Sequence, residues 1–294
     1  MAMGPEEVVN RINAAFGKPK GYRTLHAKGR FYDATFTATP EATALTTAEH
    51  FNGKPCPVVL RWSNGGGHPK VPDPAPDVRG MAVSFRPANG ATTDLLGQTS
   101  PRFPARTPEE FVAITEVGAK PVRLPLFALK HPRMAAAFPK TLKSLVSPHS
   151  FAEATFYAIH AYGWVAADGT KSWVRYRFVP QATKADRLDE KFEGKDRLSE
   201  EIRARLARGP VRHDVMIDIA GQGDDPHDPT AVWKHHRTIK GGVIEATAET
   251  AEDLEAGGKK VVFDPARVVP GIELSEDPIL LFRPSAYTVS ASRR

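Results

Sequence analysis

Hydrophobic and polar positions along the chain change their period several times. Residues 6–16 carry apolar side chains at helical spacing between a proline and a glycine, which predicts a short amphipathic helix. From about residue 25 to 100 the pattern changes to short β-like runs, such as 57–63 and 81–85, separated by Gly and Pro clusters. We therefore expect a helix that covers one end of a strand-rich core.

Helical signals then interrupt the strands. Thr107-Pro108-Glu109-Glu110 predicts a capping box, and residues 107–152 have a mainly helical pattern. Strand patterns return at 154–179 and 215–219, with an amphipathic helix predicted over 196–206 between them. Because strands and helices do not alternate regularly, a doubly wound parallel sheet is disfavoured. The pattern favours a closed antiparallel barrel with helical insertions.

Composition narrows the class of protein. The chain has 294 residues, of which 41% are hydrophobic and 25% charged, as is usual for a soluble globular protein. It has no apolar run of about 18 residues and no secretory signal, so we expect a cytoplasmic protein without a membrane partner. The single Cys56 excludes an internal disulfide framework and all-cysteine metal sites, and predicts a buried thiol. The net charge of +6 could suggest nucleic-acid binding, but basic residues alternate with acids, so no nucleic-acid partner is expected.

Several short motifs are weak. Residues 63–68 are glycine-rich but lack the lysine and hydroxyl residue of a phosphate-binding loop, so a flexible turn is favoured. A histidine and aspartate cluster matches no common metal-ligand spacing, and a surface loop is favoured for Asp224, Asp225, His227, Asp228, His235 and His236. Neither a Gly-x-Ser-x-Gly motif nor a histidine beside Cys56 supports a hydrolase triad.

Two distant segments carry the informative residues. One is Arg23-Thr24-Leu25-His26-Ala27-Lys28-Gly29, and the other runs from Phe263-Asp264-Pro265 to Arg283-Pro284-Ser285-Ala286-Tyr287. Singly, His26 is typical of a strand histidine and Tyr287 of a packed aromatic residue. Together they resemble the two ends of a haem-catalase core, in which R-x-x-H-A-K-G supplies a histidine above the iron and R-x-x-x-Y a tyrosine below it.

The resemblance continues between these segments in the family's order and spacing. Arg61-Trp62-Ser63 is similar to R-F-S, Asp77-Val78-Arg79-Gly80-Met81-Ala82 to D-x-R-G-x-A, and Asp94-Leu95-Leu96-Gly97 to D-L-x-G. It implies an α+β fold with an antiparallel β-barrel core of the haem-catalase type. Residues 1–294 would form a single catalase-like haem-binding domain without the long C-terminal region of full-length catalases.

The resemblance also implies a cofactor and roles for individual residues. Haem b (iron protoporphyrin IX) would be held by Tyr287 as the iron ligand, with Arg283 favouring its phenolate form from one helical turn away. His26 would move protons during peroxide cleavage, Ser63 would orient it, and Gln98 would steer the peroxide. Packing against the porphyrin and binding of its propionates would fall to Leu25, Phe111, Arg23, Arg61 and Arg294.

Three features depart from the family pattern. Gln98 replaces the distal asparagine and is one methylene longer. Val165 stands where a proximal histidine is usual, which predicts a weakened hydrogen-bond relay. The chain also ends seven residues after Tyr287, which puts tetramer interlocking and a bound nicotinamide nucleotide in doubt and leaves room for a homodimer. The chain thus resembles the small catalase-related peroxidases more than full-length catalases.

The expected function is that of a haem peroxidase acting through an oxoferryl intermediate. Its partners would be hydrogen peroxide or an organic hydroperoxide and a small-molecule electron donor, with weak catalase activity besides. A haem-storage or sensor protein with little turnover is the alternative from another class. A hydroperoxide isomerase is disfavoured, because those relatives have threonine where this chain has Leu25.

Overall fold

The computed structural model describes residues 3–17, 19–120, 122, 124–251, 254–255 and 259–294, apart from the side chains of 137–141 and 143. Nine described strands form one antiparallel sheet. They are β1 (Gly29–Ala38), β2 (Cys56–Asn64), β3 (Arg79–Phe85), β4 (Thr93–Gln98), β5 (Phe156–Val165), β6 (Lys171–Pro180), β7 (Val211–Ile219), β8 (Arg237–Glu249) and β9 (Ile272–Leu274).

The strand order closes the sheet into a barrel. Strands β1 to β4 pair consecutively, as do β5 to β8, and the two halves join through the β1–β8 and β4–β5 pairs. The short β9 pairs with the outer part of β5. The predicted α+β fold with a closed antiparallel barrel is therefore confirmed.

Helices fill the connections and the ends of the chain. They are α1 (Pro5–Phe16), α2 (Pro40–Thr43), α3 (Pro108–Ala119), α4 (Leu124–Lys130), α5 (Pro132–Lys143), α6 (Arg197–Leu206) and α7 (Pro278–Ser292). Single 3-10 turns lie at Glu49–Phe51, Phe151–Glu153 and Lys184–Asp186. The helices predicted over 6–16 and 196–206 are confirmed, and the predicted helical region 107–152 consists mainly of α3, α4 and α5.

The start of α3 corrects one detail. Thr107 Oγ1 accepts the N–H of Glu110, as a capping box requires. The reciprocal bond is not made to Thr107, because Glu110 Oε2 accepts the N–H of Arg106 instead, at 2.7 Å. The motif thus predicts the helix start correctly. Of the two capping-box hydrogen bonds, however, the second comes from the N–H of Arg106 and not from that of Thr107.

The barrel interior is a packed core. Side chains alternate along each strand, so Leu60 and Trp62 of β2 point inward together with Phe85, Trp164 and Phe178. Their neighbours Arg61 and Ser63 belong to the opposite face of β2. Since the interior is filled by aromatic and aliphatic residues, a ligand must bind outside the barrel wall. Cys56 is buried in this core, as predicted.

The helices α1, α3 and α7 pack together beside the outer face of the barrel. Val8 and Ile12 of α1 contact Val112 of α3, and Phe282 of α7 joins the same cluster. Within the described residues we find no helix with the length and apolar content needed to cross a bilayer. Helices α1, α3 and α7 form one wall of a cavity, and the outer face of the barrel forms the other.

Candidate functional site

The cavity lies between the outer face of β2, β3 and β4 and the helices α1, α3 and α7. It contains about 1380 Å³ of space not occupied by protein atoms, including its open mouth. Its walls are mainly apolar. The residues predicted for the site that line it are Arg23, Leu25, His26, Arg61, Ser63, Gln98, Phe111, Arg283, Tyr287 and Arg294. The structure thus brings together, around one space, every residue to which the sequence assigned a role in the site.

His26 is held in an unusual backbone conformation just before β1. Its φ of 54° makes it the sole described non-glycine residue with a positive φ. Its N–H donates to Gly65 O at 2.9 Å, and Arg61 Nη2 donates to its carbonyl at 2.9 Å. A strained backbone persists where the surrounding structure fixes it, and such positions cluster at functional sites. The conformation presents the imidazole to the cavity.

Two glycines permit this arrangement by close approach. A Cβ on Gly80 would lie 2.7 Å from the His26 ring and 2.8 Å from Ser63 Oγ. A Cβ on Gly65 would lie 2.4 Å from Val78 Cγ2. The flexible turn predicted for the glycine-rich segment 63–68 is instead the end of β2 followed by a tightly packed bend at 65–67. Its glycines let the loop pack tightly below His26.

The charged residues before Gly80 have structural roles. Asp77 Oδ2 accepts the N–H of Gly66 at 2.8 Å. The fully buried Arg79 donates to the carbonyl oxygens of Asp73, Ala75 and Asp77, which closes the loop that precedes β3. The D-x-R-G motif therefore fixes the strand and the loop against which the His26 ring lies.

The His26 imidazole is neutral in this setting. Burial lowers its pKa to about 3, and the positive charges of Arg61, Arg283 and Arg23 act in the same direction. Its Nδ1 lies 3.0 Å from Ser63 Oγ. In the tautomer that donates Nδ1–H to Ser63, Nε2 keeps a lone pair and can accept a proton.

The cavity wall around His26 is otherwise largely apolar. Gln98 ends β4 and places an amide at the cavity, close to the strand that carries Gly80. Leu25 and Phe111 pack with the cluster of α1 and α3, and Phe103 stacks on Phe111 with ring centroids 5.4 Å apart. The only amide side chain among the described lining residues is therefore that of Gln98.

At another wall of the cavity, α7 presents Arg283 and Tyr287 on one face. Arg283 Nε donates to Tyr287 Oη at 2.9 Å, and Nη2 of the same guanidinium donates to it as well. The spacing of four residues is what brings the two side chains together on a helix. Because both hydrogen bonds come from one planar guanidinium group, they fix the position of the Tyr287 oxygen at the cavity.

His160 and Asp277 extend the hydrogen bonds of Arg283. They show that the hydrogen-bond relay, which Val165 led us to expect to be weakened, is formed by other residues. Arg283 Nη1 lies 2.7 Å from His160 Nε2, and His160 Nδ1 lies 2.6 Å from Asp277 Oδ2. Burial lowers the pKa of His160 more than the Asp277 carboxylate raises it, so this imidazole is neutral. It can donate Nδ1–H to Asp277 and accept from Arg283 at Nε2. The chain of hydrogen bonds Asp277–His160–Arg283–Tyr287 is thus complete, with Asp277 and His160 buried and Arg283 and Tyr287 partly buried.

The prediction about Val165 was wrong for a reason of strand geometry. The register of β5 against β6 shifts between Ala158 and Tyr162, and His160 lies within this irregularity. An irregularity of this kind re-aims side chains, so counting along the strand from Gly163 does not identify which residue faces α7. Val165 instead contributes backbone hydrogen bonds to Thr47 and Gly271 at the end of the strand.

Three arginines gather at one end of the cavity. Arg23 and Arg61 both lie over the Phe31 ring, at 5.6 and 5.7 Å from its centroid. Arg23 and Arg294 each donate to Glu255, with shortest distances of 2.9 and 2.8 Å. One carboxylate thus faces three guanidinium groups, and the cluster keeps an excess of positive charge for an anionic ligand.

Sequence reasoning did not identify several of these residues. His160, Phe31 and Glu255 lie outside the motifs singled out above, and Asp277 lies within the 263–287 segment without an assigned role. Only the fold brings these four into contact with residues that line the cavity. The 224–236 loop lies apart from the cavity, and it is organised by Asp224, which accepts backbone N–H groups of Gly221, Lys234 and His235.

Comparisons with known proteins agree with the arrangement. The chain is 40% identical over 296 residues to the catalase-related peroxidase of Mycolicibacterium paratuberculosis, which covers 99% of this chain and 94% of that protein. It is 31% identical to the catalase-related peroxidase of Synechococcus elongatus, over 99% of this chain and 88% of that protein. In fold it is similar to a bacterial catalase, with a TM-score of 0.77 and 22% identity over 98% of this chain and 60% of that one. The family model described as Catalase matches residues 19–294, and the chain therefore belongs to the catalase family.

Proposed function

We propose that the chain is a haem b peroxidase that reduces hydrogen peroxide or organic hydroperoxides with electrons from an external donor. The observation that carries the proposal is the arrangement around one apolar cavity: neutral His26 on the barrel wall, arginine-bonded Tyr287 on α7, and three arginines at one end. The similarity to two proteins named catalase-related peroxidase supports the same reaction.

The residues of the cavity fit haem. Its apolar walls suit a flat aromatic ring, and its cationic end suits two propionates. Within the described part of the chain, Nε of Arg61 and Nε of Arg294 are buried without a hydrogen-bond partner, so both can still donate. Tyr287 would hold the iron, Leu25 and Phe111 would pack on the ring, and Arg23 would join the other two arginines at the propionates. Bound haem supplies an iron that takes up and passes on the electrons of the reaction.

The protein's own groups handle the protons. A hydroperoxide takes up two electrons and two protons to give an alcohol and water. His26 Nε2 accepts a proton from the incoming peroxide and returns it to the oxygen that leaves, while Ser63 holds the ring in place. The Gln98 amide donates a hydrogen bond to the peroxide. On the other side, Arg283 donates two hydrogen bonds to Tyr287 Oη and so orients the oxygen that would bind the iron.

The test is haem loading followed by comparison of two variants. His26→Ala should bind haem but react with peroxide about 10²–10⁴-fold more slowly, because that is the usual contribution of general acid–base catalysis. Tyr287→Phe should change the absorption spectrum of the bound haem. His68→Ala, which removes an exposed histidine, is the matched control and should behave like the parent. A His26→Ala protein with the parent rate would remove His26 from the mechanism.

We further propose that donor oxidation outweighs oxygen release from hydrogen peroxide. Disproportionation needs two peroxides in sequence at an ordered distal site, and Gln98 carries its amide one methylene further into the cavity than asparagine would. Oxygen release and donor oxidation should be measured on one haem-loaded preparation, with Gln98→Asn alongside. Gln98→Asn should shift the ratio toward oxygen release. A parent that releases oxygen rapidly and oxidises almost no donor would contradict the proposal.

A further inference from the structure

Glu255 lies behind the arginines at the cationic end of the cavity. Its Oε1 accepts from Arg23 Nη2 at 2.9 Å and from Arg294 Nη1 at 2.8 Å, and its Oε2 accepts from Arg23 Nη1 at 3.2 Å. The described residues that line the cavity include both arginines but not Glu255. The carboxylate would therefore act on a bound ligand through the two arginines that it holds.

The backbone of Val261 adds to these contacts. Its N–H donates to Glu255 Oε1 at 3.2 Å, and its carbonyl accepts from Arg23 Nη2 at 2.9 Å. The side chains of Arg23 and Arg294 are only 16% and 7% exposed. Burial together with several hydrogen bonds leaves these long side chains little conformational freedom. A ligand that binds to them does not have to order them first, which favours binding.

Two donors of the cluster are left for a ligand. Within the described part of the chain, Nε of Arg61 and Nε of Arg294 are buried without a hydrogen-bond partner. Arg61 Nη2 donates to His26 O, and Arg294 Nη1 donates to Glu255. Each guanidinium group is thus fixed through an Nη atom and keeps its Nε–H. Buried donors normally have a partner, and carboxylate oxygens of a ligand would supply it.

The charge of the cluster depends on Glu255 as well. Burial lowers the pKa of Arg294, and the charge of Arg23 acts in the same direction, whereas the Glu255 carboxylate opposes both. Three guanidinium groups and one carboxylate leave an excess of two positive charges. Two propionates would neutralise that excess.

We propose that Glu255 is a positioning residue for a ligand with two carboxylates, because it holds Arg23 and Arg294 where they bind the propionates of haem. The inference rests on the haem binding proposed above, and it adds a residue that does not itself touch the ligand. If Glu255 instead competed with the propionates for the arginines, its removal would strengthen haem binding. The two roles therefore predict opposite changes.

The test is the rate at which haem-loaded protein transfers its haem to an excess of apomyoglobin, followed by absorption. Glu255→Ala should lose haem b about tenfold faster than the parent, because hydrogen bonds that involve charged groups contribute about that factor. Haem dimethyl ester has no free carboxylate, so both proteins should lose it at similar rates. Glu249→Ala is the matched control. Glu249 also binds two arginines, Arg30 and Arg203, at a similar exposure of 24% against 28%, and it should not change the rate.

Two further variants separate positioning from a general loss of structure. Glu255→Gln keeps the length of the side chain and one acceptor oxygen, and it replaces the alanine variant if circular dichroism shows that variant to be unfolded. It should accelerate the loss of haem b less, and again not that of the ester. In an Arg23→Ala/Arg294→Ala protein, Glu255→Ala should cause no further acceleration, since it has no arginines left to hold.

Three results would overturn the inference. They are loss of haem b from Glu255→Ala at the parent rate or more slowly, equal acceleration for haem b and its ester, and full acceleration in the protein that lacks both arginines. A parent that binds neither haem b nor the ester would overturn the proposed function and this inference with it. A parent that binds both, with Glu255→Ala unchanged, would overturn the inference alone.

Discussion

Gly80→Ala should impair the peroxide reaction without removing any polar group from the site. The added Cβ would lie 2.7 Å from the His26 ring and 2.8 Å from Ser63 Oγ, whereas ordinary contact begins at 3.4 Å. The ring would therefore have to move by about 0.7 Å. Movement is constrained, because the backbone of His26 is tied to Gly65 and Arg61 at 2.9 Å each.

The magnitude follows from how precisely a proton-transfer group must be placed. A misplacement of about 1 Å costs on the order of 10²-fold in rate. We expect haem-loaded Gly80→Ala to react with peroxide on the order of 10- to 100-fold more slowly than the parent in stopped-flow absorption. The loss should approach, but not exceed, that of His26→Ala, since both act through the same imidazole.

A matched control is available in α3. Gly118 has no atom within 4 Å of an added Cβ, so Gly118→Ala should keep the parent rate. A haem titration of each variant separates loss of reactivity from loss of binding. Gly80→Ala protein that binds haem and reacts at the parent rate would refute the argument that this glycine sets the position of His26.

Two further predictions concern stability. Asp277 caps α7 by accepting the N–H of Ile279 at 2.8 Å and also binds His160. Asp277→Asn keeps a capping side chain and should lose about 1.5–3 kcal/mol with the charged partner of His160, whereas Asp277→Ala should lose about 1 kcal/mol more with the cap. Equal urea midpoints for the two variants would argue against the capping role. Burial lowers the pKa of His50 to about 3, so His50 stays neutral in the folded protein while the unfolded chain takes up a proton below about pH 6.5. Its contribution to stability is therefore present above pH 6.5 and lost below it, and between pH 7.5 and 5 the parent should lose about 2 kcal/mol more than His50→Leu in denaturant titrations. An unchanged difference between the two proteins at both pH values would contradict this.

The sequence could predict the barrel and most of the residues around the cavity. The strand patterns at 57–63 and 81–85 are confirmed as parts of β2 and β3. Most of their residues are buried on both faces, because the barrel core lies on one side and the cavity with its helices on the other. The Arg283–Tyr287 contact follows from helical spacing. His26 and Ser63 lie 37 positions apart, and only the resemblance to a family related them before the structure placed them at 3.0 Å.

Other parts of the site depend on contacts that no local pattern encodes. Glu255 reaches Arg23 across 232 positions of the chain, and neither residue lies in a motif that names the other. Phe31 has the outward position of a strand residue. Arg61 is its register partner on β2, whereas Arg23 reaches the ring from the loop before β1. Ion pairs and cation–aromatic contacts between residues far apart in the chain are set by tertiary packing, and the hydrophobic periodicity of a sequence does not predict them.

The hydrogen-bonded chain Asp277–His160–Arg283–Tyr287 depends on a local irregularity in strand β5. Asp277 is both the cap of α7 and the acceptor for His160, so the helix start that positions Arg283 and Tyr287 is joined to the strand irregularity that aims the imidazole. A regular β5 would change which residue faces α7, and Arg283 Nη1 would lose its buried acceptor. Loss of a hydrogen-bond partner is costly for a partly buried guanidinium group, so the helix cap, the strand irregularity and the arginine stabilise one another. The position of Tyr287 at the cavity is therefore set by three elements together, and a change in any one of them should alter both the stability of α7 and the hydrogen bonds to the tyrosine.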